Sequence, residues 1–394
     1  MECDGLTAEQ LPRRSVPPSS MSLLAEYPDL GQRVGEEGIA LREIWCTGSR
    51  STPGTAGTPT CCASASTVAS VSRSRPRRGG PEVRGALWCP TSPFRLGTGI
   101  GAHLIKLGIH LANLTFPGGT ATLADDLARV ARQADDLGFA RISVMDHVWQ
   151  IGPVGPVDDP MLEAYTTLGF LAAHTRRAQL LAWVTAVVYR DPGLLAKCVT
   201  TLDVLSGGRA MLGIGAAWNG EEAEGLGLFF PSTKERFERL EEALQIHQLM
   251  WTDSQEPFHG KHYTLTRTLN RPQPLSRPHP PILIGGGGEK KTLRLVAQYA
   301  DACNLFDAPD LAHKLEVLRG HCADLGRDEA EVEKTVISRL DPGPNGDGVD
   351  DVLAGLRRLA DLGVQHVHLG LPKIASSDRL QILGERVLPQ VAEW

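Results

Sequence analysis

An aspartate and a histidine, Asp146 and His147, stand directly after the apolar run 141–145 (RISVM). A histidine titrates near neutral pH, and a neighbouring carboxylate can fix its tautomer. The pair therefore suits proton donation or acceptance beside a redox centre, with a hydrogen-bonded structural histidine as the competing reading. Two glycine turns point to a second kind of chemistry. The first, Gly215-Ala216-Ala217, follows the apolar stretch RAMLGI, and the second closes the run PILIGGGG at Gly285, Gly286, Gly287 and Gly288. Successive N–H groups in such turns cradle anions, usually phosphate. Each turn alone is common in α/β proteins. Two of them after two parallel strands suggest one phosphorylated cofactor lying across the open end of a barrel.

Other residues at strand ends are Asn113, Thr185, Tyr189 and Arg190, with Asp307 and His368 further out. Trp149 and Trp218 are suited to wall a ring pocket, although lone tryptophans more often belong to a core. Lys290, Lys291, Arg294 and Lys197 offer a basic channel for phosphates or an acidic tail. Glu221, Glu222 and Glu224 read most simply as a solvated loop, and His110 as structural. No His/Asp/Glu cluster has defensible metal-ligand spacing, so no metal is expected.

The elements that must position these groups alternate regularly from residue 104. A strand at 106–112 precedes a helix at 121–137, whose Leu123, Leu127, Val130, Ala131, Ala134 and Leu137 share one face, and Gly138 caps it. Strands follow at 141–145, 180–188, 209–214, 282–284, 302–305, 335–337 and 367–371. Helices are expected at 162–175, from Pro192, at 234–250, 292–299, 311–325, 351–362 and 378–391. Residues 251–280, proline-rich at their end, form an irregular insertion of the kind that serves as a lid. Eight strand–helix pairs over residues 104–394 fit a (β/α)8 TIM barrel, which typically needs about 250 residues. A doubly wound sheet is the weaker alternative, since no strand leads into GxGxxG with an acidic residue about 20 positions on.

Residues 1–103 differ in kind. The stretch 49–80 is a Ser/Thr/Gly/Pro/Ala/Arg mixture with little periodicity, expected to be a disordered extension or a start placed too far upstream. The 394 residues are 42% hydrophobic with a formal net charge of -6, which gives no electrostatic reason to expect nucleic acid. No run of about 18 apolar residues suggests a membrane span, and no apolar segment reads as a secretory signal. Eight cysteines without a CxxC pair suit a reduced, cytoplasmic protein.

Taken together, these segments resemble the luciferase-like monooxygenase family, and within it the branch that uses the deazaflavin coenzyme F420. The resemblance lies in KLGIHLANLTFPGG, the DH pair, the run from TAVVYRDPGLLAK through LDVLSGGRAMLGIGAAWN, FPSTKERFERLEEALQI, FHGKHY, NRPQP, PILIGGGGEKKTLRLVAQYADACNLF and LADLGVQHVHLGLP. It covers residues 104–394 and none of 1–103. It implies a barrel of the bacterial-luciferase type with a lid at 251–280, and a flavin or deazaflavin at its C-terminal face. The cofactor phosphate would rest on Ala216, Ala217, Trp218, Gly286 and Gly287, with Gly285 and Asn113 nearby. The ring would lie against Val184, Thr185 and Ala186, where such barrels often carry a non-proline cis peptide. His147 would handle the proton, held by Asp146. Some relatives carry a glutamate after the fourth strand where this chain has Trp218, which leaves His147 without an evident acid–base partner. The resemblance further implies a homodimer acting on a small-molecule substrate. The leading expectation is hydride transfer with F420. The alternatives are a monooxygenase using reduced FMN and oxygen, and a non-catalytic flavin-binding protein.

Overall fold

The computed structural model describes residues 105–394, and the expected disordered extension lies outside them. The first strand, β1 (Lys106–Leu111), pairs in parallel with β2 (Arg141–Val144), and β2 pairs with β3 (Gln179–Ala182). A short continuation, β4 (Thr185–Ala186), pairs with β5 (Leu212–Gly215), which pairs with β8 (Ile282–Gly285). The sheet then runs through β9 (Ala302–Phe306) and β10 (Glu333–Ser338) to β11 (His366–Leu369), which returns to β1. A bridge from Leu180 to Ala210 joins β3 to the start of β5 and draws the barrel shut. β3 and β4 are thus two halves of one strand, interrupted at the cis peptide Trp183–Val184. The nine segments make the eight strands of a (β/α)8 barrel.

Helices cover the outside because each has one apolar side. α1 (Leu123–Leu137) buries Leu123, Leu127, Val130, Ala131 and Ala134, and ends where Gly138 adopts φ 96°. α2 (Ala164–His174) starts at Glu163, whose carboxylate accepts from the N–H groups of Tyr165 and Thr166. α3 (Pro192–Ser206) has proline in its first turn, where the missing N–H costs nothing. Two features depart from the sequence expectation. A six-residue helix, α4 (Gly220–Gly225), replaces the solvated loop after β5, and α5 (Thr233–Met250) follows it. The insertion contains an antiparallel pair, β6 (Phe258–His259) and β7 (Thr264–Leu265). Beyond it, α6 (Thr292–Tyr299), α7 (Leu311–Asp324) and α8 (Val349–Asp361) alternate with the last strands. The chain closes with α9 (Arg379–Ile382), a π-helical turn at Leu383–Val387 and α10 (Leu388–Val391). Among the described residues, no helix is long and apolar enough to cross a membrane.

The inside of the barrel is not wholly apolar. His110 Nδ1 meets Ser143 Oγ at 2.9 Å, and Ser143 Oγ meets His368 Nδ1 at 3.2 Å. His368 lies against Trp183, with ring centroids 3.6 Å apart, and His366 follows at 4.8 Å from His368. Arg141 and Glu333 pair at 2.5 Å below them. Burial pushes His110 and His366 down to about 4 and His368 well below its ordinary value, so the column is neutral near pH 7. His110 and His368 are therefore core residues, as expected for the first and as a correction for the second.

Candidate active site

His147 leaves the end of β2 half-buried, and its partner is Glu222 of α4. Nδ1 lies 2.5 Å from Glu222 Oε1, while Glu222 Oε2 accepts from the N–H groups of Val148 (3.0 Å) and Trp149 (3.4 Å). Burial alone would raise this carboxyl, but His147, the Tyr189 hydroxyl and the Val148 N–H bring it below its ordinary value. An ionised carboxylate only accepts, so Nδ1 carries the proton and Nε2 remains the nitrogen that can hold or give one. Glu222 is 1% exposed and corrects the expectation of a solvated loop. After the fourth strand, four residues beyond Trp218, the chain thus supplies a carboxylate partner for His147. Trp218 itself is mostly exposed and meets the His147 ring edge-on, centroids 5.6 Å apart.

Asp146 does not hold His147. Its carboxylate faces the opposite side, taking both guanidinium N–H groups of Arg190 at 2.8 and 2.9 Å and the N–H of Ala186 at 3.1 Å. Arg190 also reaches Glu163 at the start of α2, and Tyr165 of that helix meets Thr185 Oγ1 at 2.8 Å. The group therefore clamps β4 from behind. Removing Arg190 would leave a buried carboxylate without its partner, which typically costs roughly 3–5 kcal/mol. Arg190→Met is expected to lower the urea midpoint accordingly, and Arg190→Lys by less because the two-pronged geometry alone is lost. A midpoint unchanged in Arg190→Met would show that the clamp contributes nothing.

The two glycine turns meet above β4. A β-carbon on Gly285 would come within 2.9 Å of Val184 Cγ1, and one on Gly215 within 3.0 Å of Val184 Cγ2 and 3.4 Å of the Gly285 carbonyl. Only glycine lets Val184 sit across both strands. After the first turn Ala217 takes φ 59°, a left-handed conformation that swings successive N–H groups toward one side. The N–H groups of Ala217, Trp218 and Gly287 make no hydrogen bond to another described residue, as a phosphate cradle requires. Gly286 is a correction: its N–H is spent on the Asn304 carbonyl at 3.1 Å. A cavity of about 700 Å³ opens beside this region, bounded by Trp149 and Val154 on one side and Trp218 and Glu222 on the other. Trp149 fits there because Gly225 lacks a side chain, since a β-carbon would lie 2.2 Å from its ring.

The family profile of luciferase-like monooxygenases matches residues 105–365. The chain belongs to the luciferase-like monooxygenase family. It is an oxidoreductase by that membership. An uncharacterized protein of Mycobacterium tuberculosis (strain ATCC 25618 / H37Rv) is 31% identical over 265 residues, covering 64% of this chain and 89% of the relative. An F420-dependent glucose-6-phosphate dehydrogenase of Kineococcus radiotolerans is 32% identical over 244 residues, covering 60% and 68%. Among solved structures, an F420-dependent secondary alcohol dehydrogenase aligns with TM-score 0.61 at 18% identity, over 73% of this chain and 99% of that one. The FMN-bound oxygenating constituent of 3,6-diketocamphane monooxygenase from Pseudomonas putida aligns with TM-score 0.59 at 16% identity, over 73% and 98%. At these identities the structural matches establish the shared barrel alone.

Within this luciferase-like barrel, His147, Trp149, Trp218, Val184, Gly215 and Gly285 converge at the C-terminal end of the strands. Asn113, at the end of β1, lies against the cavity loop at Gly155; its side-chain carbonyl accepts from Thr115 N–H at 2.8 Å, and its side-chain amide reaches Asp159 at 3.5 Å. Other candidates do not join them. Lys197 is committed to the insertion through Asn270 and the Arg271 carbonyl, not to a basic channel. Lys291 lies over the Phe237 ring at 5.1 Å. Asp307 pairs with Ser338 and Arg358. The cation beside Gly287 is one the sequence reading did not single out, Lys314, paired with Glu289 at 2.6 Å.

Proposed function

We propose that this luciferase-like protein is an F420-dependent oxidoreductase acting on a small organic substrate, with His147 as the group that holds and delivers the proton. The observation that carries the reading is the His147–Glu222 pair, set at the edge of a cavity at the end of β2. The F420-dependent name of the Kineococcus relative, at 32% identity, favours the deazaflavin over FMN. The residues fit such a cofactor: Ala217, Trp218 and Gly287 offer backbone donors for phosphate, and Val184 and Ala186 offer an apolar bed for a ring, with Thr185 between them held from behind by Tyr165. When bound, the deazaflavin would supply the hydride-accepting or hydride-donating carbon.

The rest is the work of this chain's own side chains. Glu222 fixes the ring of His147 and its tautomer, leaving Nε2 to exchange a proton with an alcohol or carbonyl oxygen. Asp146 and Arg190 hold β4 in place from behind. Trp149 and Trp218 flank the side at which a substrate would enter.

Fluorescence titration of the purified full chain with F420, and separately with FMN under anaerobic conditions, tests the reading. Micromolar or tighter binding of F420, with FMN at least ten-fold weaker, is the expected result. Preference for FMN would transfer the assignment to an oxygen-using monooxygenase, and binding of neither would defeat both.

A further inference from the structure

The cavity beside His147 has a chemical bias that the choice of cofactor does not set. Its apolar wall comes from the loop after β2, with Trp149, Ile151, Val154, Pro156 and Val157, and Trp218 faces them. The polar groups at the same walls are Gln150, Asn219, Glu221 and Glu222. Gln150 is already spent on the Ala112 carbonyl and the Ile151 N–H. The charge of Glu222 is met by His147 and two backbone N–H groups, but Glu221 is exposed and has no ion-pair partner among the described residues. Among the described residues, no lysine or arginine lines the cavity. The arginines nearby are committed elsewhere, Arg190 to Asp146 and Glu163, and Arg236 to the carbonyls of Ala216 and Pro231.

An anionic ligand entering this space would lose its water without gaining a cation, and would face an unpaired carboxylate at the rim. An uncharged, largely apolar ligand loses little water and meets two indoles, a branched aliphatic wall and the Asn219 amide. About 700 Å³ is room for a fused-ring or similarly bulky molecule. We infer that the substrate of this site is a largely apolar compound without a phosphate or carboxylate group, and that Glu221 acts as the residue that rejects anions. Calling the occupant the substrate rests on the proposed role of His147, while the charge preference rests on the cavity alone.

The test uses rigid probes of one shape on the full-length chain, without cofactor, read by calorimetric titration. These are 2-adamantanone and adamantane-1-carboxylate. The ketone is expected to bind at least ten-fold tighter than the carboxylate. Glu221→Lys and Val157→Arg, both on exposed loop or rim positions, are each expected to raise the relative affinity of the carboxylate at least ten-fold. Circular dichroism confirms that the variants are folded. Equal or tighter binding of the carboxylate to the wild type, no change of ratio in either variant, or binding of no probe would overturn the inference. A chain that binds F420 but prefers the carboxylate defeats this inference and leaves the proposed function standing. A chain that holds the ketone and no cofactor does the reverse.

Discussion

Glu222→Gln is expected to cut turnover by about 10²-fold or more while leaving cofactor affinity within two-fold of the wild type. The carboxylate serves two sets of donors at once, His147 on Oε1 and the N–H groups of Val148 and Trp149 on Oε2. An amide has one accepting oxygen. If glutamine keeps the backbone contacts, its NH2 faces Nδ1 and forces the opposite tautomer; if it keeps His147, its NH2 clashes with two N–H groups. Either way the nitrogen that faces substrate is in the wrong state or the ring is misplaced. Histidine-resolved nitrogen NMR reads this without any substrate: the wild type should show His147 protonated at Nδ1, and the variant should not. Steady-state rates on any alcohol or carbonyl compound the wild type turns over give the second readout. Unchanged rates and an unchanged tautomer would remove Glu222 from the mechanism.

The second large effect concerns acid. His110, His247 and His366 are held down to about 4 by burial, and burial also holds His368 well below its ordinary value. An unfolded chain would protonate these groups near 6.5. Below that value the unfolded state takes up protons that the folded state refuses, so stability is full above about pH 7 and falls as pH drops from 6.5 toward 4. Each histidine adds up to about 1.4 kcal/mol per pH unit to the slope. Urea midpoints are therefore expected to be flat from pH 7 to 8 and to drop steeply between 6 and 4.5. His247 lies outside the barrel column, buried in α5 with Nδ1 at the Ala243 carbonyl, so His247→Gln should remove about one proton from the slope. A midpoint that does not move between pH 7 and 5 would mean that the buried rings carry charge. The same titration bounds the kinetic work, because rates below about pH 5 would report unfolding and not Glu222.

Most of the barrel was legible because its strands are short apolar runs and its helices carry apolar residues at helical spacing. The breaks from that pattern were not. α4 has six residues, GEEAEG, too few for a periodic apolar face, and three glutamates in a row of polar residues look solvated. What buries Glu222 is His147, 75 positions earlier in the chain. The adjacency of Asp146 and His147 misled in the other direction. Consecutive residues leaving a strand point to opposite sides, so Asp146 goes to Arg190 behind β4 while His147 turns to the cavity. The glycines were readable as turns, but that Gly286 would donate to Asn304 depends on the pairing of β8 with β9. Lys197 looked like a phosphate ligand by its charge, and only the folded insertion shows which oxygens claim it.

On the proposed function, two jobs fall on largely separate pieces of chain that meet at Trp218, whose N–H belongs to the first and whose indole belongs to the second. The side that fits a phosphorylated coenzyme is built from the turns after β5 and β8 and from Val184 between them. The side that meets a substrate is built from 149–157, with α4 bracing it through Gly225 and Glu222. Between the two stands a single ring, His147. On that reading, exchanging side chains at 151–154 and 156–157 would alter what is admitted while the backbone donors of Ala217 and Gly287 and the His147–Glu222 pair stay in place, whereas Gly155 is held to glycine, because a β-carbon there would lie 2.5 Å from Asp159 Oδ2.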